Sequence, residues 1–187
     1  MNVVVIFGSV RKVRNGTRVS QFVARELEPK GWNVSVVDPA EWDLPMLDKR
    51  YFEMKEPEEK YEKLHKMFDD ADGFIVVTAE YNRLPPPALL NILNYYGKEF
   101  RQKACGIVSY STGGFGGVRA GEVLRLFVSE LGMPAVPASF PVSHVAKTLS
   151  EDGVADDGAM SERFAKFVDQ FEWYMEALKN QRERKSV

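Results

Sequence analysis

The sequence contains one cysteine, Cys105, and only two histidines, His65 and His144. A single cysteine excludes an internal disulfide framework, and so few thiol and imidazole groups exclude a metal cluster. Cys105 falls within an apolar run, which predicts a small core residue and not a redox-active thiol. His65 lies on the charged side of a helical pattern and is interpreted as solvated.

Long hydrophobic runs and an excess of positive charge are also missing. No stretch approaches the roughly 18 to 20 apolar residues of a membrane span. The N-terminal apolar run, Val3–Phe7, is short and lacks a basic leader, so it is a poor signal peptide. The net charge of −2 argues against a nucleic-acid binder, whose surface is usually basic. We therefore expect a cytoplasmic protein that binds neither nucleic acid nor membrane.

The length of 187 residues suits one domain with a substantial core. Residues 1–180 are expected to form that domain, and the charged residues 181–187 a frayed tail. The connection 41–57 is either a mobile lid or a long connection with isolated apolar anchors, and we favour the connection.

Short apolar runs alternate with amphipathic helical patterns along the chain. The predicted strands are Val3–Phe7, Val34–Val37, Phe74–Thr78, Ala104–Ser109 and Ala135–Ser139. Such alternation predicts an α/β fold with an open parallel sheet and helices on both faces. Among the doubly wound strand orders we choose 2-1-3-4-5. Ligands of such sheets bind at the carboxyl ends of the strands, so the loops at that rim are the candidate ligand sites.

The loop after the first strand, "GSVRKVRNGT", carries the cations Arg11, Lys12 and Arg14, and Arg18 follows just beyond it. A helix N-terminus presents free N–H groups, and Arg11 together with the Ser9 and Thr17 hydroxyls adds donors. We interpret the loop as a phosphate site whose cations meet the ligand. It contains neither G-K-[ST] nor G-x-G-x-x-G, which excludes the usual triphosphate and dinucleotide loops. A solvated basic loop without a ligand is the alternative.

Two further loops are unusual. In "TAEYNRLPPPALLN", Glu80, Tyr81 and Asn82 place an acid, an aromatic ring and an amide after a buried strand, which suits a flat heterocycle. In "SYSTGGFGGVRAGE", the glycines allow the backbone to approach a ligand closely. The alternatives are an ordinary strand-to-helix turn and a plain glycine-rich turn, respectively.

Taken together, these loops resemble the NAD(P)H-dependent FMN reductase family, flavodoxin-like proteins that include quinone reductases, azoreductases and chromate reductases. The resemblance covers nearly the whole chain, with the motifs in the family's order. The matching residues are Gly8, Ser9 and Arg11 for G-S-x-R; Glu80, Tyr81 and Asn82 for P-E-Y-N; Pro86, Leu89 and Asn91; and Ser111, Gly113, Gly114, Gly116, Gly117, Arg119 and Ala120 for S-x-G-G-x-G-G-x-R-A.

The resemblance implies a three-layer flavodoxin-like fold that binds FMN. The phosphate would be held by Ser9, Arg11, Gly16 and Thr17. The isoalloxazine would be bordered by Glu80, Tyr81 and Asn82, with Ser111, Thr112, Gly113 and Gly114 near its other edge.

The implied activity is ping-pong hydride transfer from NADPH or NADH to a small-molecule acceptor such as a quinone, an azo dye, free flavin or a metal oxyanion. The cofactor carries that chemistry, so we name no catalytic acid, base or nucleophile. Relatives also suggest a homodimer or homotetramer that uses Pro85–Tyr96, and His144 is expected at the edge of the substrate pocket.

The chain departs from the family pattern around the third loop. The departures are Ala79 for proline, Leu84 for a small residue, Pro87 for glycine, Leu90 for lysine, and Asn94-Tyr95 for Asp-Trp. They leave two other function classes open, an electron carrier of the flavodoxin type and an interaction protein without a cofactor. Carriers resemble strongly acidic proteins with a T-x-T-G-x-T loop, and this chain has neither feature.

Overall fold

In a computed structural model, which describes residues 1–185, five strands form one parallel sheet in the order β2-β1-β3-β4-β5. The strands are β1 (Asn2–Phe7), β2 (Asn33–Val37), β3 (Gly73–Ala79), β4 (Ala104–Tyr110) and β5 (Ala135–Val142). The predicted fold class and strand order are therefore confirmed. Because all strands run in the same direction, their carboxyl ends share one rim of the sheet.

Helices cover both faces of the sheet. They are α1 (Gly16–Leu27), α2 (Pro39–Trp42), α3 (Glu59–Asp69), α4 (Pro87–Asn94), α5 (Val118–Glu130), α6 (Val145–Thr148) and α7 (Gly158–Lys185). One core cluster joins the sheet to α1, α6 and α7, and the other joins it to α3, α4 and α5. No helix among residues 1–185 is both long and apolar enough to cross a lipid bilayer.

The pleat of the strands explains why the central runs are continuously apolar. In β1, Val3, Val5 and Phe7 face the first cluster, whereas Val4 and Ile6 face the second. Successive residues thus alternate between two buried layers, so neither side of the strand requires polar groups. Cys105 is fully buried in β4, as predicted, and burial raises the pKa of its thiol to about 12.

β5 is an edge strand whose pairing with β4 is irregular. Between Cys105 and Ile107, the register on β5 advances from Ala135 to Ser139, which leaves extra residues on the edge strand. Side chains from both faces bind outward backbone groups there. The pairs are Gln170 Oε1 with Ala138 N at 2.6 Å, Arg125 Nη1 with Val136 O at 2.7 Å, and Arg163 Nη2 with Pro141 O at 3.1 Å.

The segment between α2 and α3 is anchored along its length, in agreement with the connection we favoured. Asn91 of α4 donates from Nδ2 to Pro45 O at 2.7 Å, and its Oδ1 accepts from Leu47 N at 3.0 Å. Tyr51 stacks on His65 with ring centroids 4.4 Å apart. His65 Nδ1 lies 2.9 Å from the buried carboxylate of Glu99. The interpretation of His65 as a merely solvated residue was therefore wrong.

The last helix extends beyond the predicted end of the domain at residue 180, because α7 continues through Lys185. Arg182 explains this extension, since its Nη1 donates to Gln102 O at 2.6 Å and so ties the helix to the start of β4. The fraying expected from residue 181 is thus not seen in 181–185, and residues 186–187 lie outside the described part of the chain.

Candidate active site

A cleft of about 500 Å³ opens at the carboxyl rim of the sheet, between the loops that follow β1, β3 and β4. This is the rim at which parallel sheets bind ligands. Its lining residues are Ser9, Arg11, Val13, Arg14, Asn15, Ala79, Glu80, Tyr81, Tyr110, Ser111, Thr112 and Val145.

The loop after β1 supplies donors that have no partner among residues 1–185. The N-cap residue of α1, Asn15, makes no side-chain capping bond. Across residues 1–185, the backbone N–H groups of Lys12 and Val13 donate to no protein acceptor. Arg11 is exposed and forms no ion pair with any described residue. An uncapped helix start beside a free guanidinium favours an anionic ligand.

Ser9 is the buried polar residue at the floor of this loop, with only 1% of its surface exposed. Its Oγ lies 2.6 Å from the Tyr81 hydroxyl, which joins the β1 and β3 loops directly. The same oxygen lies 3.5 Å from Arg11 N. Ser9 therefore fixes the start of the loop in relation to the cleft.

The sequence predicts that all the cations of this loop face the ligand, but the structure shows that two of them bind other groups of the protein. Arg14 forms a two-armed ion pair with the buried Asp38 after β2, and it also donates to Ser9 O. Arg18 donates to Leu149 O at 2.9 Å and pairs with Glu151. The expectation was wrong for Arg14 and Arg18 because each already binds a carboxylate and a backbone carbonyl of the protein. Arg11 and Lys12 remain available.

Gly16 and Tyr110 form a tight contact at the start of α1. A Cβ on Gly16 would lie 2.2 Å from the Tyr110 hydroxyl and 2.5 Å from the Phe7 ring, so only glycine fits. Burial raises the pKa of Tyr110 well above its ordinary value, and the hydroxyl therefore stays protonated as a donor beside Ser9. Gly16 thus brings the helix start against the cleft without itself lining it.

The loop after β3 is a two-residue hairpin. Tyr81 and Leu84 exchange backbone hydrogen bonds of 2.9 and 3.0 Å, and the two central residues, Asn82 and Arg83, have φ of 51° and 71°. Two positive φ values identify a type I′ turn, in which asparagine is common and arginine is strained. The turn points Asn82 outward, so it is exposed and does not line the cleft.

Glu80 lines the cleft, but its carboxylate is bound by groups of the protein. It accepts from Ala120 N at 3.4 Å and from Arg119 Nη1 at 3.3 Å, both in the first turn of α5. A carboxylate at that position satisfies free N–H groups and the positive end of the helix dipole. Glu80 therefore joins the β3 loop to the start of α5.

The glycine-rich loop after β4 closes the cleft on its remaining side. Gly117 has φ of 76°, and a Cβ there would lie 2.7 Å from Tyr110 O, so the loop folds back on the end of its own strand. Ser109 Oγ holds this return by donating to Gly116 O at 2.8 Å. Ser111 and Thr112 border the cleft, whereas Gly113 and Gly114 lie just beyond it.

Six of the eleven residues predicted for the site come together around the cleft: Ser9, Arg11, Glu80, Tyr81, Ser111 and Thr112. Gly16, Asn82 and Gly113 each adjoin a lining residue in the sequence, whereas Thr17 and Gly114 are two positions from one. The six other lining residues were not among the predicted site residues: Val13, Arg14, Asn15, Ala79, Tyr110 and Val145. Tyr110 carried a usable signal, because it is the last residue of a buried strand at the functional rim.

The donors present suit the FMN expected from the resemblance. The phosphate would meet the free N–H groups after Ser9 and the guanidinium of Arg11, which match an anion. The flat ring would contact the part of the cleft lined by Tyr81 and the backbone of Ser111–Gly114, where small side chains allow close approach. Among the described lining residues the one carboxylate, Glu80, is paired with Arg119, and the nearby Asp38 is paired with Arg14.

Comparison with known proteins points to the same ligand. A quinone reductase of Pseudomonas putida KT2440 is 27% identical over 175 residues, which cover 91% of this chain and 92% of that protein. An NAD(P)H-dependent FMN reductase of Schizosaccharomyces pombe is 28% identical over 184 residues, covering 91% and 90%.

Structural similarity supports the fold. The flavoenzyme NAD(P)H:(acceptor) oxidoreductase FerB from Paracoccus denitrificans matches with a TM-score of 0.76 at 21% identity, over 94% of this chain and 97% of that one. The family model described as NADPH-dependent FMN reductase matches residues 1–147, which include all three loops of the cleft. The chain therefore belongs to the NADPH-dependent FMN reductase family and is an oxidoreductase that uses FMN and NAD(P)H.

Proposed function

We propose that this chain is a cytoplasmic quinone reductase that binds FMN in the cleft and lets the NAD(P)H donor and the quinone acceptor bind in turn. The observation that carries the proposal is the cleft itself, with free N–H groups and Arg11 at one end and the glycine-rich loop at the other. The two relatives named quinone reductase and FMN reductase support this choice of acceptor and donor. When bound, FMN supplies hydride acceptance from the nicotinamide and hydride donation to the quinone.

The protein's own residues would bind FMN and orient it in the cleft. Ser9 and Tyr81 hold two loops together through their 2.6 Å contact, so the phosphate end of the cleft has a fixed relation to the ring end. Arg11 and the start of α1 supply positive charge to the phosphate. The apolar side chain of Val145 excludes water from the inner wall of the cleft. No side chain of this set is required to take up a proton from the donor.

The proposal predicts a particular kinetic order. Nicotinamide and quinone must each stack on the open face of the same ring, so they cannot be bound there together. Initial rates measured against quinone at several NADPH concentrations should give parallel double-reciprocal lines. Intersecting lines would contradict alternate binding on one face.

A direct test separates the enzyme from an electron carrier. Purified protein should be yellow, and NADPH added without oxygen should bleach it before any quinone is present. Quinone added afterwards should restore the colour. Yellow protein that stays oxidised with both NADPH and NADH would overturn the reductase proposal in favour of a carrier.

We also propose a homodimer that forms beside α4. A groove of about 850 Å³ lies next to this helix and is lined by Val10, Met46, Ala88 and Asn91 among others. Val10 is 48% exposed and Met46 is 77% exposed, which is unusual for apolar side chains so close together. The groove adjoins the β1 loop, so a second copy seated there would lie near the cleft.

A further inference from the structure

Four successive carbonyl oxygens of the glycine-rich loop are bound by one short turn, residues 143–145. The pairs are Ser111 O with Val145 N at 3.1 Å, Thr112 O with His144 Nδ1 at 3.2 Å, Gly113 O with His144 N at 3.1 Å, and Gly114 O with Ser143 Oγ at 2.8 Å. The donors and acceptors thus run in opposite directions along the two segments. Every peptide unit from Ser111 to Gly114 is thereby fixed in orientation.

This arrangement also sets where the N–H groups point. In a trans peptide the C=O of one residue is directed opposite to the N–H of the next. Because the carbonyls face the 143–145 turn, the N–H groups of Thr112 through Phe115 point away from that turn. Ser111 and Thr112 of this segment border the cleft, as does Val145 of the turn. Within residues 1–185 these four N–H groups have no acceptor. The loop is therefore a row of donors without partners.

The turn holds this row at a conformational cost. His144 adopts the left-handed conformation, with φ of 47° and ψ of 43°, a conformation that few residues other than glycine adopt, although asparagine, aspartate and histidine are enriched in it. A carbonyl can only accept, so Nδ1 of His144 carries the proton in the bond to Thr112 O. The histidine is used here as a fixed N–H donor.

We propose that the 143–145 turn is a positioning element that aims the N–H groups of Thr112–Phe115 at the ring of bound FMN and thereby stabilises its reduced, more electron-rich form. This inference rests on the proposed binding of FMN in the cleft. Hydrogen bonds to a charged acceptor are about twice as strong as those to a neutral one, so the row binds reduced FMN more tightly than oxidised FMN. A protein that prefers the reduced form raises the reduction potential of the cofactor.

The side chain of His144 allows a matched set of variants. His144→Ala removes the donor to Thr112 O. His144→Asn places an amide N–H close to the position of Nδ1, and asparagine tolerates the left-handed conformation. His144→Gln places its amide near the position of Nε2, too far along the side chain to replace the bond. Ser143→Ala removes the separate donor to Gly114 O without touching the strained backbone.

The first measurement is the affinity for oxidised FMN together with the two-electron reduction potential of the bound flavin. For His144→Ala and His144→Gln, affinity for reduced FMN should fall about tenfold more than affinity for oxidised FMN, which lowers the potential by about 30 mV. His144→Asn should stay close to the parent protein. Ser143→Ala should shift the potential in the same direction, and it remains informative if a His144 variant fails to fold.

The second measurement is amide hydrogen exchange at residues 112–115 with and without FMN. The parent protein should gain protection at these amides when FMN is added, and His144→Ala should gain less. Potentials that do not differ among the variants, or bound FMN that leaves these amides unprotected, would overturn the positioning role alone. A parent protein that binds no FMN would overturn both this role and the proposed function.

Discussion

At the scale of single residues, similar side chains in one loop have different tasks. Arg11 and Arg14 are three positions apart, yet Arg14 is held by Asp38 and Ser9 O, while the Arg11 side chain forms no hydrogen bond or ion pair with any described residue. Asp38 follows β2, which pairs in parallel with β1, so the sheet brings its carboxylate next to the β1 loop. We therefore expect replacement of Arg11 to change FMN affinity and replacement of Arg14 to change the free energy of unfolding.

Replacing Arg11 should affect the ligand and not the fold. Arg11→Ala is expected to weaken FMN binding by about 1.5–3 kcal/mol, the range for a hydrogen bond to a charged group. Fluorescence titration of the flavin-free protein measures this. Lys12→Ala is the matched control, because Lys12 is exposed but does not line the cleft, and it should change affinity much less. Equal losses in both variants would indicate general charge attraction instead of a specific contact.

Replacing Arg14 should affect the fold even without ligand. Arg14→Ala leaves the buried carboxylate of Asp38 without its partner, and breaking a buried pair costs about 3–5 kcal/mol. Urea unfolding of the flavin-free protein gives the free energy of unfolding. Arg25→Ala, at an exposed arginine of the adjoining helix α1, serves as the control. A loss for Arg14→Ala no larger than that of the control would contradict a structural role.

At the scale of elements, the predictable parts are those determined by local pattern. Apolar runs and helical spacing located all five strands, because burial between two helical layers leaves a strong signature in β1 and β3. The type I′ turn at Asn82-Arg83 was not predicted, since arginine is a poor residue for positive φ. The contacts of residues 143–145 with the loop after β4 join segments about thirty positions apart, so no local pattern records them.

The carboxyl end of α3 depends on a buried lysine. Lys103 Nζ donates to Phe68 O at 2.8 Å and to Asp69 O at 2.7 Å, satisfying carbonyls that the helix leaves free. Burial lowers the pKa of Lys103 from 10.5 to about 8. Between these values the unfolded chain binds more protons than the folded one, so this lysine makes the protein more stable as the pH rises from about 8 towards 10.5.

Comparison with Lys103→Met isolates this effect. The difference in free energy of unfolding between parent and variant should grow in favour of the parent as the pH rises from 8 to 10, measured by urea unfolding. Burial raises the pKa of Tyr51 and of Tyr95 to about 12, and both tyrosines are present in each protein, so their contributions cancel. Parallel stability curves over this pH range would show that Lys103 keeps the same charge in both states.

At the scale of the whole molecule, the sequence predicted the parallel sheet with helices on both faces. It predicted only some of the residues that line the cleft. The predicted loops do meet at one rim, because a parallel sheet brings the ends of β1, β3 and β4 together. Which side chains turn inward depends on contacts between loops, such as Ser9 with Tyr81 and Glu80 with Ala120. Residue type and spacing do not encode those contacts.

The proposed dimer predicts a mass of about twice the 21.2 kDa of one chain. Met46→Glu places a charge in the groove beside α4 and should convert the dimer to monomer in sedimentation at micromolar concentration. Trp173→Glu is the control, since this side chain is 65% exposed on α7, on the opposite face of the sheet. Parent protein that sediments as a monomer, or equal effects of both variants, would contradict the proposed contact.

The irregular edge of β5 has a consequence for behaviour at high concentration. A free sheet edge invites an incoming strand from another chain, which is how fibrils begin and extend. Here Gln170, Arg125 and Arg163 already bind the outward groups of Ala138, Val136 and Pro141. An intruding strand would have to displace these side chains from both faces and match a shifted register. Crowded solutions of the folded protein should therefore resist seeding through this edge.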